Sequence, residues 1–337
     1  NIFYYEVAIP LPIRDTFTYE SKERISSGSR VLVKFRNKEI VGYVIGNISK
    51  KPSFSTIEIS SVLDKEPIYN SKDLSILFWL ADYYLHPFGE VLDTFCPSLL
   101  RKAINRETCK TKLSSEYKAI EEDKKFNLNH EQAEALKILS KLNGFDPCLL
   151  YGVTGSGKTE IYLRLTDIYL SKNKSILILV PEISLTPQLE ERFVNRFGKN
   201  IGIYHSRKTP KQRYDTWEKA KSGEIKIVIG TRSAVLCPLD NLGLIIVDEE
   251  HDQSYKQHEG FRFSARDVSI KRAQIQKLPI ILGTATPSLQ TLKLVEEKKY
   301  KMANLLNRVN GSRPPGFITL DINNSTLESG IAIEALD

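Results

Sequence analysis

The sequence feature that most constrains the fold is a glycine-rich segment at residues 152–159. It matches the pattern GxxxxGK[ST], and its members are Gly152, Val153, Thr154, Gly155, Ser156, Gly157, Lys158 and Thr159. A short apolar stretch precedes the segment and a helical pattern follows it, which is the context that this pattern requires. The glycines let backbone N–H groups point at phosphate oxygens, and the start of the helix adds a positive end. The segment, called the phosphate loop below, therefore predicts a nucleoside triphosphate site.

Two side chains of the phosphate loop have predicted roles in binding the triphosphate. Lys158 is expected to reach the β and γ phosphates, and the Thr159 hydroxyl is expected to bind Mg²⁺. The alternative is a glycine-rich turn with a surface lysine. The strand before the loop and the helix after it argue against that alternative.

An acidic group follows a second apolar stretch, residues 242–247. It consists of Asp248, Glu249, Glu250 and His251. A buried parallel strand delivers such carboxylates to the carboxyl edge of its sheet. Asp248 suits the surroundings of Mg²⁺, and Glu249 suits orienting and deprotonating the attacking water. An acidic strand end alone is more often a helix N-cap or a solvated turn, but the phosphate loop favours catalysis, with Lys158, Asp248 and Glu249 as the catalytic candidates.

Gln132 lies near the start of a helical pattern that precedes the phosphate loop. Its amide can form two hydrogen bonds with the edge of an adenine base. The equally weighted alternative is an ordinary surface helix start. With the adenine interpretation, the expected ligands are ATP and Mg²⁺, the latter held by Thr159 and Asp248.

The order of apolar and helical segments predicts an α/β fold around a parallel sheet. Helical patterns cover residues 129–142, 158–170 and 185–197, and apolar stretches cover residues 148–151, 175–180, 225–229, 244–247 and 279–282. The apolar stretches do not alternate with polar residues, which is typical of strands that are covered on both faces by helices.

The first hundred residues have a different, β-rich pattern. Short strands are predicted at residues 3–9, 16–19, 30–35, 40–48 and 57–63, followed by a helix at residues 71–84 with Ser71 as its N-cap. Four segments are therefore predicted: a β-rich domain at 1–100, a basic linker at 101–127, an ATPase lobe at 128–310, and a linker or the start of a further domain at 311–337.

Charge and cysteine content limit the classes of function. A net charge of +7 mildly favours a polyanionic partner. The cysteines Cys96, Cys109, Cys148 and Cys237 lie far apart without a CxxC pair, which argues against a disulfide framework and a zinc site in this span. No apolar stretch approaches the roughly 18 residues of a membrane span. The expected location is the reducing cytoplasm, with no membrane partner.

Several ordered strings carry a resemblance to a known family. They are YGVTGSGKTE at 151–160, VPEISLTPQ at 180–188, GTRSA at 230–234, DEEH at 248–251 and GTATPS at 283–288, with VAIPLP at 7–12, TFTY at 16–19 and LADYYLHPFGE at 80–90 before them. Together they resemble the PriA family of replication-restart helicases, also called primosomal protein N′. The resemblance spans most of residues 3–310.

The resemblance implies an ATP-dependent superfamily 2 DNA helicase of 3′-to-5′ polarity. It implies a RecA-like ATPase lobe behind a β-rich domain that binds the 3′ end of DNA. Such a protein recognises stalled or abandoned forks and initiates primosome assembly. The implied partners are forked and single-stranded DNA, other primosome proteins and single-strand-binding protein.

The resemblance also assigns roles to residues. Gln132 matches a glutamine that contacts the nucleotide base, and His251, Thr284 and Thr286 match groups that link hydrolysis to DNA movement. The expected DNA contacts are Phe17, Tyr19, Thr231, Arg232, Tyr255, Lys256, Phe261, Arg262, Phe263 and Arg266. Aromatic rings interleaved with basic groups at residues 255–266 suit base stacking and phosphate binding. Ordinary loop packing is the alternative.

The sequence departs from the family pattern in three ways. Thr18 stands where the family usually has an aspartate, residues 101–127 are too few for the family's winged-helix domain, and the zinc segment and second helicase lobe would come after Asp337. A catalytic arginine of the second lobe contributes roughly 10³- to 10⁵-fold in rate. This chain alone is therefore expected to bind nucleotide and hydrolyse it weakly.

Two other functions stay open on the sequence. One is a non-catalytic module that binds fork DNA, and the other is a superfamily 2 DNA translocase of another type. The front domain disfavours the second alternative.

Overall fold

The computed structural model describes residues 2–106, 127–182, 184, 187–309, 320, 323 and 326–332. The predicted basic linker and the predicted terminal segment lie largely outside these residues. Among the described residues, no helix combines the length and apolar character that crossing a membrane requires.

The front of the chain forms a six-stranded sheet with a core of its own. Its strands are β1 (Phe3–Ala8), β2 (Phe17–Ser21), β3 (Arg30–Phe35), β4 (Lys38–Ile48), β5 (Ile57–Glu58) and β6 (Ser61–Val62), in the order β5-β2-β1-β4-β3-β6. Val7, Val31 and Val33 are fully buried in the core on one side of this sheet. The strand predicted at 57–63 is two short strands, one at each edge of the sheet.

Two helices, α1 (Ser71–Tyr83) and α2 (Phe88–Phe95), follow the front sheet. Asn70, and not Ser71, caps α1: its side chain accepts from the Asp73 N–H, and the Asp73 carboxylate accepts from the Asn70 N–H. This reciprocal pair satisfies two backbone donors at the helix start, so the predicted cap was one residue late. Leu77 and Leu80 bury the inner face of α1.

The second half of the chain is an α/β lobe, as predicted. Its strands are β7 (Pro147–Gly152), β8 (Ser175–Leu179), β9 (Ile201–Tyr204), β10 (Ile227–Gly230), β11 (Leu242–Val247), β12 (Ile280–Thr284) and β13 (Lys301–Leu305). They form a seven-stranded parallel sheet in the order β13-β7-β12-β11-β8-β10-β9. A small hairpin, β14 (Leu327–Glu328) with β15 (Ile331–Ala332), is described separately.

Helices cover both faces of the parallel sheet. They are α3 (His130–Leu139), α4 (Lys158–Ser171), α5 (Pro187–Phe197), α6 (Pro210–Ser222), α7 (Ala265–Gln276) and α8 (Leu289–Glu296). Along β8, Ile176 and Ile178 point into one core with α3, α4 and α5, while Leu177 and Leu179 point into a second core with α6 and α7. This two-sided burial explains the uninterrupted apolar strands of the sequence.

The front domain and the lobe share the second core. Residues of α1 and α2 belong to the same buried cluster as residues of α6 and α7. Arg106 forms an ion pair with Glu218 of α6 at 2.6 Å and lies over the Trp217 ring. The two parts of the chain are therefore joined by buried apolar packing and by charged contacts.

A buried ion pair holds the end of the front domain in place. Arg30 and Asp64 are both fully buried, with 2.6 Å between Arg30 Nη2 and Asp64 Oδ1. The same guanidinium donates to the carbonyl oxygens of Leu100, Lys102 and Ile104. All N–H donors of the Arg30 guanidinium are used inside the protein. Because three of the acceptors lie at residues 100–104, Arg30 fixes the chain where it leaves the front domain.

We expect Arg30→Met to lower the free energy of unfolding by about 3–5 kcal/mol, because it leaves the Asp64 carboxylate buried without its cation. Urea titration followed by tryptophan fluorescence measures this loss. The double variant Arg30→Met/Asp64→Leu should recover much of the lost stability, since it removes both charges. A double variant less stable than Arg30→Met would contradict this explanation.

Candidate functional site

The phosphate loop connects the end of β7 to the start of α4. Gly155 and Gly157 have φ angles of +79° and +85°, a backbone conformation that side chains disfavour. A Cβ atom at Gly157 would also overlap the amide of Gln132. The buried Ser156 hydroxyl has no hydrogen-bond partner among the described residues. The loop is thus shaped by its glycines and contains a buried polar atom without a partner.

Lys158 points back into the phosphate loop. Its Nζ lies 2.9 Å from the Gly152 carbonyl oxygen and 3.3 Å from Glu249 Oε1, and the residue is buried. A lysine at this position can exchange both partners for phosphate oxygens, which are charged acceptors for an ammonium group as the Glu249 carboxylate is. The structure therefore brings together the predicted catalytic residues Lys158 and Glu249.

Asp248 is a half-buried carboxylate at the end of β11. Burial raises its pKa to about 6, while the hydrogen bond from the Tyr162 hydroxyl at 2.7 Å lowers it. Burial also raises the pKa of Tyr162 well above its usual value, so its hydroxyl stays protonated and acts as a donor. Tyr162 belongs to α4, the helix that starts at Lys158. Sequence reasoning missed this tyrosine, because its contact with Asp248 depends on the packing of α4 against β11.

The donor set of this site suits a magnesium ion. Asp248 supplies a carboxylate at the strand end, and Glu249, with a φ of +43°, turns its side chain toward Lys158. Thr159 is the second residue of α4 and half-buried. Carboxylate and hydroxyl oxygens are the protein ligands that Mg²⁺ prefers. These residues therefore fit the predicted ion.

The ends of β11 and β12 are joined by hydrogen bonds around the acidic segment. His251 Nδ1 lies 2.7 Å from Thr284 Oγ1, and His251 Nε2 lies 3.2 Å from Thr286 Oγ1. Glu250 is buried, and its carboxylate accepts from the Ser288 N–H at 2.8 Å. The residues predicted to couple hydrolysis to movement thus contact one another across the two strands. Glu250 had no predicted role, since its partner lies far along the chain.

Gln132 is buried against the phosphate loop. Its Nε2 donates to the Ser156 carbonyl oxygen at 3.0 Å, and its Oε1 accepts from the Asn129 N–H at 3.0 Å. The second bond belongs to a capping box at the start of α3. Gln132 therefore lies at a helix start and also contacts the phosphate loop, but it is not a surface residue. Its contact with adenine stays a prediction.

The segment after β13 lies along the phosphate loop. Val153 N–H donates to the Leu305 carbonyl oxygen at 3.1 Å, and Val309 N–H donates to the Gly155 carbonyl oxygen at 3.0 Å. Glu131 of α3 accepts from the Asn307 side-chain amide at 2.6 Å. These contacts were absent from the sequence predictions, because they join segments far apart in the chain.

The aromatic segment, residues 253–263, packs inward. Tyr255, Phe261 and Phe263 are buried, and the centroid of Phe261 lies 4.8 Å from His86 while that of Phe263 lies 5.1 Å from Phe95. In this arrangement the three rings are not accessible for stacking on DNA bases, because protein groups cover them. The loop-packing alternative describes what the structure shows for these rings.

Hydrogen bonds fix the aromatic segment to the sheet. The Tyr255 hydroxyl lies 2.6 Å from the Asp248 carbonyl oxygen and 3.1 Å from the Leu179 carbonyl oxygen. Arg232 donates to the Ser254 and Lys256 carbonyl oxygens at 3.0 and 2.7 Å. The segment therefore touches the strand end that carries the catalytic candidates.

The remaining predicted DNA contacts differ in their accessibility. Lys256 and Arg262 are exposed, whereas Thr231 is buried and Arg266 lies 3.2 Å from the buried Glu250 carboxylate. Among these four, only the first two present free basic side chains to a DNA backbone.

In the front domain, the two predicted aromatic DNA contacts, Phe17 and Tyr19, differ in their exposure. Tyr19 is buried and its hydroxyl donates to the Lys34 carbonyl oxygen at 3.0 Å. Phe17 is half-buried, with its ring centroid 5.0 Å from that of Phe35. Thr18, between them, is half-buried on the opposite side of β2. In the strand register it stands opposite Glu6 of β1. Of the two predicted rings, only Phe17 is partly accessible in this arrangement.

Both halves of the chain match models of known protein families. Residues 6–97 match the family model described as the 3′DNA-binding domain of PriA, and residues 129–295 match the model described as DEAD/DEAH box helicase. These two matches correspond to the front domain and to most of the α/β lobe.

Curated relatives extend across both regions. A replication restart protein PriA of Rickettsia felis is 37% identical over 93% of this chain and 48% of its own length. That of Helicobacter pylori is 38% identical over 88% of this chain and 45% of its own length. That of Haemophilus influenzae is 43% identical over 64% of this chain and 30% of its own length. The chain thus spans about half the length of the curated relatives that match most of it.

We expect Gly283→Ala to disrupt the acidic site, because the added Cβ would overlap the Tyr162 hydroxyl and displace it from Asp248. Overpacking of this kind costs about 1–3 kcal/mol in the free energy of unfolding, which urea titration measures. Tyr162→Phe removes the overlapping oxygen, so the double variant should lose less stability than Gly283→Ala alone.

The matched control for this cycle is Gly46→Ala, where the nearest atom to an added Cβ is Glu6 Oε2 at an ordinary 3.6 Å. It should leave the free energy of unfolding nearly unchanged. Additive losses for Gly283→Ala and Tyr162→Phe would show that the overlap is not the cause.

Proposed function

Because the chain belongs to the PriA family of replication restart proteins, we propose that it supplies the DNA-binding and ATP-binding parts of an ATP-dependent DNA helicase. The helicase recognises stalled or abandoned replication forks, translocates with 3′-to-5′ polarity and initiates primosome assembly. The observation that carries the proposal is the convergence of Lys158, Asp248 and Glu249 beside the phosphate loop.

The phosphate loop binds the triphosphate of ATP through its backbone N–H groups and Lys158. On binding, phosphate oxygens replace the Gly152 carbonyl and the Glu249 carboxylate as partners of the Lys158 ammonium group. Glu249 is then free to accept the proton of the attacking water, which is the role expected of a carboxylate in this class of reaction. Phosphate binding by Lys158 thereby releases the general base.

Thr159 and Asp248 would hold a magnesium ion, which would neutralise negative charge on the phosphates. Tyr162 keeps the Asp248 carboxylate oriented by its hydrogen bond at 2.7 Å. Lys158 and Tyr162 are buried, which strengthens the electrostatic interactions that they make within the site.

Hydrolysis is linked to DNA through the residues that follow Asp248. His251 contacts Thr284 and Thr286 of the neighbouring strand end, and Tyr255 connects the Asp248 backbone to the aromatic segment. The exposed Lys256 and Arg262 of that segment bind DNA phosphates. A change at the strand end is therefore transmitted to DNA-binding groups within one short segment.

Further properties are proposed for the whole protein from its family. They are binding of forked and single-stranded DNA, contacts with primosome proteins and single-strand-binding protein, and action in the cytoplasm. Zinc and the catalytic arginine belong to the part of the protein that corresponds to the other half of the relatives' length. Efficient hydrolysis needs that arginine, so this chain alone hydrolyses ATP weakly.

We expect Lys158→Ala to weaken binding of a fluorescent ATP analogue roughly 10-fold or more in the presence of Mg²⁺, because a charge-assisted hydrogen bond contributes about 1.5–3 kcal/mol. Lys141→Ala is the matched control: Lys141 is exposed and follows α3 on the surface. Equal affinity of the Lys158→Ala protein and the unchanged protein would contradict the assigned role.

We expect Glu249→Gln to separate binding from catalysis. The variant should bind the ATP analogue at least as well as the unchanged protein, while DNA-stimulated phosphate release falls by about 10²- to 10⁴-fold because the general base is lost. The control is Glu134→Gln, an exposed surface change on α3. Undiminished phosphate release by Glu249→Gln would reject Glu249 as the base.

A further inference from the structure

A cavity of about 340 Å³ lies between the front domain and the α/β lobe. The front domain contributes Phe95, Ser98 and Arg101, and the lobe contributes Tyr204, Arg213 and Arg232. The phosphate loop does not line this cavity. Its volume is at the lower end of the range for small-molecule sites, so it has room for a group of about nucleotide size.

Arg213 is the residue of this cavity that most needs a ligand. Its Nε is buried without a hydrogen-bond partner, and among the described residues its side chain forms no ion pair. Arg213 as a whole is half-buried, but a buried guanidinium N–H without an acceptor is costly, because it loses its hydration without compensation. The buried Ser98 hydroxyl in the same cavity also has no partner among the described residues. Both groups favour an anionic or strongly accepting ligand.

The other two arginines retain positive charge in the cavity. Arg101 donates to the carbonyl oxygens of Cys96 and Thr94 at 3.1 and 3.0 Å, with Asp93 as a longer ion-pair partner at 3.5 Å. Arg232 donates to backbone carbonyl oxygens only. Carbonyl groups orient a guanidinium group without neutralising it. Glu182 and Glu259 also line the cavity, which leaves one net positive charge from these five side chains.

Aromatic side chains complete the walls. Phe95 is half-buried and lies next to Phe261 and Phe263, and Tyr204 lies on the lobe side. Guanidinium groups beside aromatic rings are typical of sites that hold a strand of nucleic acid, with phosphate on the cations and the base against the rings. A ligand with both features, a phosphate and a flat base, matches the cavity.

We propose that this cavity receives one nucleotide of a single DNA strand where the strand passes from the front domain to the lobe. The phosphate lies against Arg213 and Arg101, and the base lies toward Phe95. A strand is favoured over a free nucleotide because two other residues of the lining relate to expected DNA contacts: Arg232 is itself one of them, and Gln257 follows the exposed Lys256. The inference rests on the proposed DNA-binding function and adds Arg101, Arg213 and Ser98 to its contacts.

The test is the affinity of the whole chain for fluorescein-labelled oligo(dT) of 15 nucleotides, measured by anisotropy at several KCl concentrations. Arg213→Ala should weaken binding about 10-fold at low salt. It should also reduce the slope of log affinity against log salt concentration by about 0.7, the value expected for one lost phosphate contact on a single strand. Arg101→Ala should act in the same direction.

Two further variants keep the test decisive. Arg213→Lys retains the charge, so it should keep the salt slope and lose less affinity than Arg213→Ala. Lys141→Ala removes one charge beside α3, on the opposite face of the parallel sheet, and should leave affinity and slope unchanged. Thermal unfolding followed by circular dichroism shows whether each variant is folded. If Arg213→Ala does not fold, the results for Arg213→Lys and Arg101→Ala decide whether the cavity binds the strand.

The possible results separate this inference from the proposed function. An unchanged slope and affinity for Arg213→Ala and Arg101→Ala, with strong binding by the unchanged protein, would overturn the inference alone. No oligo(dT) binding by the unchanged protein would overturn the proposed DNA binding as well. Thymidine monophosphate that competes as strongly per molecule as oligo(dT) would overturn the assignment to a strand.

Discussion

The arrangement of the acidic site, the aromatic segment and the front domain depends on the Tyr255 hydroxyl, which lies at the carboxyl edge of the seven-stranded sheet. This buried group lies within hydrogen-bond distance of the Leu179 and Asp248 carbonyl oxygens, at the ends of two adjacent central strands. A buried tyrosine hydroxyl requires such partners, so the segment that carries it is held against the acidic site. Phe261 and Phe263, a few residues later, pack on His86 and Phe95 of the front domain. One short segment therefore touches the strand end that carries the catalytic candidates and packs on the front domain.

The local features of this site were predictable from the sequence, because each is encoded by residues close together in the chain. The phosphate loop needs glycines that adopt positive φ, and β8 and β11 are uninterrupted apolar runs because both of their faces are covered. The acidic residues after β11 follow from the same strand. Strands β9 and β13 and helices α2, α6, α7 and α8 were missed; β9 is only four residues long, and α6 presents few apolar residues.

Contacts between distant segments were not predictable from local patterns. Alternating aromatic and basic residues at 255–266 suit an exposed DNA-binding loop and a packed loop equally well. The outcome for the rings depends on Tyr84, His86 and Phe95, which lie far away in the sequence and offer an apolar surface. Glu250, Tyr162 and the Arg30–Asp64 pair were missed for the same reason: their roles follow from tertiary partners. Gln132 shows the limit most clearly, because its capping bond is local and its contact with Ser156 is not.

We propose that nucleotide binding and DNA binding are linked through the segment from Asp248 to Phe263. The most direct measurement is a pair of titrations: the affinity for a non-hydrolysable ATP analogue with and without saturating oligo(dT), and the affinity for oligo(dT) with and without the saturating analogue. Linkage requires the two ratios to be equal, and allosteric coupling free energies typically correspond to about 5- to 150-fold changes. We expect equal ratios of roughly fivefold or more, reduced toward one by Tyr255→Phe. Affinities that are independent of the second ligand would contradict the claim.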